Sequence, residues 1–160
     1  MAATWTIPKR EVRAEVLLPG SAPVPLRIFL NENARTHSGF ERPSDLLNGP
    51  IAFLPALDSG GNLVLLNRDG LLMVSVEACH ELTADAPGLM ELAAPETTRA
   101  LVDVHLEDGS CLRGLVTYLL PAAQRRLQDF MNGAELFLTL RDGETARLIN
   151  KRRIARVTPV

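Results

Sequence analysis

An internal repeat limits the possible folds of this chain more than any other feature. Residues 42–74 recur as residues 126–157. Arg42, Asp45, Asn48, Gly49, Phe53, Leu54 and Asp58 meet Arg126, Asp129, Asn132, Gly133, Phe137, Leu138 and Asp142 at a constant spacing of 84. One residue is then lost. At a spacing of 83, Gly60, Leu65, Asn67 and Val74 meet Gly143, Leu148, Asn150 and Val157. Unrelated segments of this composition would share about two identities, and self-similarity of this kind marks repeated structural units. Here there are 11 identities over 32 aligned positions. Leu46/Phe130, Leu47/Met131, Leu66/Ile149, Arg68/Lys151 and Leu71/Ile154 add conservative matches. Upstream the likeness fades but continues, with Ala14-Glu15-Val16 against Val102-Asp103-Val104. The expected organisation is an arm at 1–11, repeats at 12–76 and 100–160, and a connector at 77–99.

The second copy reads as strands. Val102, Val104 and Leu106 alternate on one face of a strand at 101–106, as in a half-buried strand. Glu107-Asp108-Gly109-Ser110 makes a hairpin turn in which Gly109 supplies a positive φ. Further strands are expected at 111–120, 136–140, 145–149 and 154–157, with Pro121 ending the second. Five short antiparallel strands in a stretch this brief predict a small, strongly bent barrel. The expectation is therefore an all-β chain of two tandem five-stranded barrels. Each carries a one-turn helical plug, with Leu46, Leu47, Phe130 and Met131 buried beneath it.

The shared polar residues look like scaffolding. Asp45 and Asp129 are expected to open the plug helix and accept from its free amides. Asn48-Gly49 and Asn132-Gly133 would close it with left-handed residues. Arg42 and Arg126 can pair with those aspartates at three-residue spacing. Asn67 and Asn150 open tight turns, where an Asn side chain commonly binds backbone amides. What the copies do not share is charge in the last hairpin. Arg147, Lys151, Arg152, Arg153 and Arg156 crowd it, with Arg126, Arg125 and Arg141 candidates to lie nearby, whereas Asn67-Arg68-Asp69-Gly70 is not basic. This cluster is the candidate surface for an anion or an acidic partner, with 151–153 exposed.

Net charge is −2 and argues neither for nor against a polyanion. The halves differ, with 7 basic and 11 acidic residues up to Pro95, then 10 basic and 8 acidic. Five Phe, one Tyr and one Trp offer no run of stacking aromatics for single-stranded nucleic acid. Cys79 and Cys111 form no disulfide framework and fit free thiols in a reducing compartment. No signal-peptide segment or membrane span is apparent, so a cytoplasmic location without membrane association is expected. His37, His80 and His105 with the two cysteines give no metal-ligand spacing, so neither a metal nor another cofactor is expected. No nucleophile elbow, phosphate loop or paired-carboxylate motif is present, and an enzyme is not expected.

The second copy, VDVHLEDGSCLRGLV followed by LFLTL and ARLINKRRIARVTP, resembles the Sm-like fold, bacterial Hfq-type RNA chaperones included. Val102, Val104, Leu106, Gly109, Gly114 and Ile154 stand where that family has its alternating strand, turn, central glycine and final strand. The resemblance covers some 55 residues and fits other SH3-like barrels nearly as well. It implies small barrels that associate in rings or edge to edge. The family's RNA-binding loop between the second and third strands is here enlarged to PAAQRRLQDFMNG and lacks the pocket pattern; only Asn150-Lys151-Arg152-Arg153 keeps some of the character. Separately, Asp108, Ser110 and Gly114 come close to the D-x-S-x-x-G pattern of PilZ cyclic-di-GMP receptors, with one residue too many between the serine and the glycine. The paired-arginine motif of that family is absent upstream, where only Arg99 stands.

The sequence thus predicts a non-enzymatic, bacterial-type binding and assembly module. It would contact proteins, or itself, through strand edges and the basic final hairpin. RNA binding through that hairpin is the alternative, and a PilZ-type receptor the second.

Overall fold

The computed structural model describes residues 9–34, 39–81, 97–119 and 126–160. Most of the expected arm and connector, the loop at 120–125 with Pro121 and Arg125, and His37 lie outside the described residues.

Ten strands form one antiparallel sheet. The first repeat gives β1 (Lys9–Leu17), β2 (Val24–Asn31), β3 (Phe53–Leu57), β4 (Leu63–Asn67) and β5 (Met73–Glu77). The second gives β6 (Thr97–Leu106), β7 (Cys111–Leu119), β8 (Phe137–Asp142), β9 (Thr145–Asn150) and β10 (Ile154–Pro159). One-turn helices α1 (Pro43–Leu47) and α2 (Leu127–Met131) precede β3 and β8. Three-residue 3-10 turns at Arg68–Gly70 and Lys151–Arg153 precede β5 and β10.

The strand pattern follows from alternation. Along β1, Val12, Ala14 and Val16 are buried while Glu11, Arg13 and Glu15 face out. Val102, Val104 and Leu106 do the same along β6. Gly109 (φ +91°) and Gly143 (φ +59°) turn the two hairpins of the second repeat. Gly114 serves β7 differently. A Cβ there would stand 2.6 Å from the Arg141 carbonyl oxygen and 2.7 Å from Leu140 Cγ, so β8 could not approach so closely over any other residue.

The sheet order is β10-β6-β7-β8-β9-β5-β1-β2-β3-β4. Each repeat contributes its strands in the same internal order: fifth, first, second, third, fourth. The molecule is mainly β as expected, but the two sets are not separate. β5 pairs antiparallel with β9 over Met73↔Ile149 to Glu77↔Thr145, which joins them into one continuous, open sheet. Side chains cross the joint in both directions. Phe137, Ala146 and Leu148 of the second repeat pack in the core of the first, and Leu72 and Met73 of the first pack in the core of the second.

The helical plugs form where expected, with two differences in their chemistry. The N-caps are Arg42 and Arg126, not the aspartates. Asp45 sits in the first turn, where its carboxylate accepts from the Arg42 backbone N–H at 2.9 Å and from the Arg42 guanidinium at 3.1 and 3.0 Å. Arg126 pairs with Asp129 in the same way, at 3.1 Å. At the other end, Asn48 (φ −91°) and Asn132 (φ −89°) are not left-handed, and neither following glycine has a positive φ. Those glycines sit close to the helix instead. A Cβ on Gly49 or Gly133 would lie 3.1 Å from a carbonyl oxygen of the helix just ended. Leu47 is fully buried, whereas Leu46, Phe130 and Met131 are only half-buried.

Candidate functional site

The basic hairpin is less available than its sequence suggests. Arg147 reaches Asp142 at 3.4 Å and Arg153 reaches Glu107 at 2.9 Å. Lys151 folds back on the plug, its Nζ 3.4 Å from the Gly133 carbonyl and 5.7 Å from the centre of the Phe130 ring. Burial lowers its pKa. Its repeat counterpart Arg68 makes the same clamp, donating to the Gly49 carbonyl. A cation at this position is therefore scaffold in both copies. Arg141 donates to the Gly143 carbonyl at 3.1 Å. Arg152, Arg156 and Arg141 are the exposed members of the cluster with no carboxylate partner among the described residues, and Arg141 is tied to its own turn. Arg126, on α2, is paired with Asp129.

The PilZ-like pattern has a local account. Asp108 accepts from Ser110 N–H at 2.9 Å and from Ser110 Oγ at 2.6 Å, closing the β6–β7 turn. Arg113 lies on β7 paired with Asp103 at 2.8 Å.

Two asparagines read as turn formers hold the joint between repeats. Asn150 has no exposed surface. Its Oδ1 accepts from Arg152 N–H at 3.0 Å, the turn role expected of it. Its Nδ2 crosses to the first repeat and donates to the carbonyls of Asp69 at 3.0 Å and Leu71 at 2.9 Å. Asn48 works in the opposite direction. Its Oδ1 accepts from Phe137 N–H at 2.8 Å, and its Nδ2 lies 3.4 Å from the Phe137 carbonyl oxygen. Their repeat counterparts, Asn67 and Asn132, are exposed.

The same contrast runs through the apolar side chains. Phe137, Ala146 and Leu148 are 1%, 2% and 0% exposed; the equivalent Phe53, Leu63 and Leu65 are 57%, 66% and 60% exposed. Their chemistry is alike and only the covering differs. β9 is covered by β5, whereas β4 ends the sheet. At the other end, Leu47, Leu71, Val74 and Val76 are buried, but their equivalents Met131, Ile154 and Val157 are half-buried and Pro159 is exposed. The two ends of the sheet are thus uncovered versions of the two sides of the joint.

Beside the joint lies a cleft of about 690 Å³ between α1 and strands β7 to β9. Three of its charged groups have partners within it. Arg42 binds Asp45, and Glu81 accepts from Ser44 N–H at 2.8 Å and Ser44 Oγ at 2.6 Å. Burial nevertheless raises the Glu81 pKa, against the lowering effect of those hydrogen bonds. Glu81 was invisible to sequence reasoning because it falls in the expected connector, where a short 3-10 turn (Ala78–Glu81) places it. That turn also brings Glu77, Cys79 and His80 together, with one ligand atom of each within 4.8 Å of the others. The spacing of the histidines and cysteines alone gave no hint of this group. Arg10 lies 3.4 Å from His80 Nδ1, a positive charge that opposes a cation there.

The chain matches no family model, and no curated protein or solved structure matches it. Among the described residues no helix is long and apolar enough to cross a membrane.

Proposed function

We propose that this protein is a non-enzymatic binding and assembly module made of two bent, SH3/Sm-like β units, acting through the open edges of its sheet. The observation that carries the reading is the exposure of Phe53, Leu63 and Leu65 along the β3–β4 edge. An open edge offers unpaired backbone groups to another strand, and natural proteins usually protect it with charge or a covering loop. Here the outward residues of β4 are leucines. Single exposed apolar residues need no explanation, but a row of them beside free backbone groups suits strand addition by a partner.

The test is protection of the edge in cells that make the protein. A Leu65→Cys variant, in a background with Cys79→Ser and Cys111→Ser, is labelled with a thiol reagent in cells and after purification at low concentration. A covered edge gives slow labelling in cells and fast labelling in the dilute pure protein. Equal, fast labelling in both removes the reading.

A second reading, RNA binding through the final hairpin, draws its support from exposed Arg152 and Arg156. Two unpaired arginines are a small electrostatic footprint beside the several phosphate contacts that nucleic-acid binding normally uses.

A further inference from the structure

We infer that the occupant of the open edge is a second copy of this chain, added head to tail so that its β10 pairs with β4. The inference rests on the edge-binding reading above and names its partner.

The two ends of the sheet are equivalent to the two sides of a joint the molecule already contains. The β5–β9 joint is already a contact between the fifth strand of one repeat and the fourth strand of another. The strands left over at the two ends are the remaining fourth strand, β4, and the remaining fifth strand, β10. They face opposite ways along the sheet, so β10 of one molecule meets β4 of the next without using the internal joint. Each end also keeps the apolar surface such a joint covers: Phe53, Leu63 and Leu65 on one, Met131, Ile154 and Val157 on the other.

Transferring the observed register by repeat equivalence places Val157 opposite Leu65 and Pro159 opposite Leu63 of the second copy. It also gives the two exposed asparagines partners across the new joint, Asn132 Nδ2 exchanging for it the Gln128 carbonyl to which it donates at 2.9 Å within one molecule. Asn67 Nδ2 meets the carbonyls of Arg152 and Ile154, as Asn150 meets those of Asp69 and Leu71. Asn132 meets the peptide of Phe53, as Asn48 meets that of Phe137. Charge agrees, since a head-to-tail contact always sets a first repeat (12–76) of 5 basic and 6 acidic residues, net −1, against a second (100–160) of 9 basic and 7 acidic, net +2.

Two substitutions make the new joint weaker than the internal one. Val160 N–H donates to the Leu101 carbonyl at 3.0 Å, so the backbone nitrogen of Pro159 faces the open edge, where it has no hydrogen to give. Arg156 stands where Met73 lies in the internal joint, and must carry its guanidinium out past the contact. The association is accordingly reversible. Because the contact is heterologous it propagates, closing into a ring if the rotation between repeats allows and forming a filament if not.

The experiment is a mass measurement by light scattering on the purified full chain over a range of concentrations. Wild type is expected to form species at multiples of 17.5 kDa. Leu65→Arg blocks the β4 end and Val157→Lys the β10 end; circular dichroism and melting confirm that each still folds. Leu65→Arg alters a residue already 60% exposed, so its folding is expected to be unchanged. Each variant alone is expected at the mass of one chain. An equal mixture retains one good end of each kind and is expected to give a capped pair of two chains. Wild type that stays at one chain up to about 1 mM, a contact worth less than about 4 kcal/mol, overturns the proposal. So does a wild type that associates while the mixture does not. Leu65→Cys protection in cells combined with a single-chain mass in the pure protein would remove the self-partner and leave the edge-binding reading standing.

Discussion

Asn48 holds the backbone of Phe137 on both sides of its Cα, accepting from its N–H at 2.8 Å and donating toward its carbonyl at 3.4 Å. The two residues are 89 apart and belong to different repeats. Asn150 answers from the other side with bonds to Asp69 and Leu71. The joint between the repeats is therefore held by side chains as well as by the β5–β9 ladder, and the exposed Asn67 and Asn132 provide built-in controls for it.

Asn150→Ala leaves the buried Leu71 carbonyl, the part-buried Asp69 carbonyl and one amide without their partner, which at the usual cost of unsatisfied groups destabilises the fold by about 2 kcal/mol. Asn67→Ala, at an exposed site, stays within about 0.5 kcal/mol of wild type. Urea unfolding of both at low protein concentration checks this. Equal losses would mean that Asn150 matters only as a turn former.

Leu148→Ala removes a fully buried side chain and is expected to cost about 3 kcal/mol, as large-to-small core changes do. Leu65→Ala at the equivalent place on the open edge changes little in the dilute protein, by about 0.5 kcal/mol or less. The comparison reads the effect of covering alone, because both strands carry leucine in the same repeat position.

Gly114→Ala would push a methyl group toward the Arg141 carbonyl at 2.6 Å and Leu140 at 2.7 Å. Overpacking at such a crossing costs about 2 kcal/mol. An unchanged melting temperature would show that β8 can move away freely.

Glu81 gives a pH dependence of definite sign. Its folded pKa is raised by burial above the ordinary value of 4.5, so the folded state binds the proton more tightly than the unfolded chain. Its contribution is most favourable below 4.5 and is lost as pH rises through that value toward the raised folded pKa. Glu81→Gln keeps an acceptor for Ser44 N–H and a group facing Ser44 Oγ but cannot ionise. Relative to Glu81→Gln, wild type should lose stability across that window, and a constant difference from pH 4 to pH 8 in denaturant titrations, a span of about four units around ordinary carboxyl values, would contradict it.

Much of the strand pattern was legible because it is local. Alternation at 102–106 and glycine turns at 109 and 143 depend on near neighbours, and they appear as read. The joining of the repeats was not legible. Asn67 and Asn150, or Leu65 and Leu148, hold the same repeat positions and so have the same expected roles, yet one of each pair is covered by a strand far away in the chain. One signal was present: Leu63-Val64-Leu65-Leu66 is apolar without alternation, which in an antiparallel strand means that both faces want cover. The basic hairpin misled for the converse reason. Charge counts along the sequence do not show that Lys151 is folded onto α2 or that Arg147 and Arg153 have acids beside them.

For the same reason the account expects no saturable binding of a labelled uridine-rich RNA, even at low salt. Binding that saturates and then weakens steeply as salt rises would restore the hairpin as a phosphate-contacting surface.

The central claim is that the outer edges are the internal joint uncovered, and amide hydrogen exchange against protein concentration tests it most directly. In dilute protein the amides of 145–150 should be protected, while those of Leu63, Leu65 and Asn67, which point away from β3, should exchange quickly. As concentration rises, Leu63, Leu65 and Asn67 and the outward amide of Val157 should gain protection together while the rest of the sheet is unchanged. Exchange at those two edges that is the same at every concentration would contradict the account.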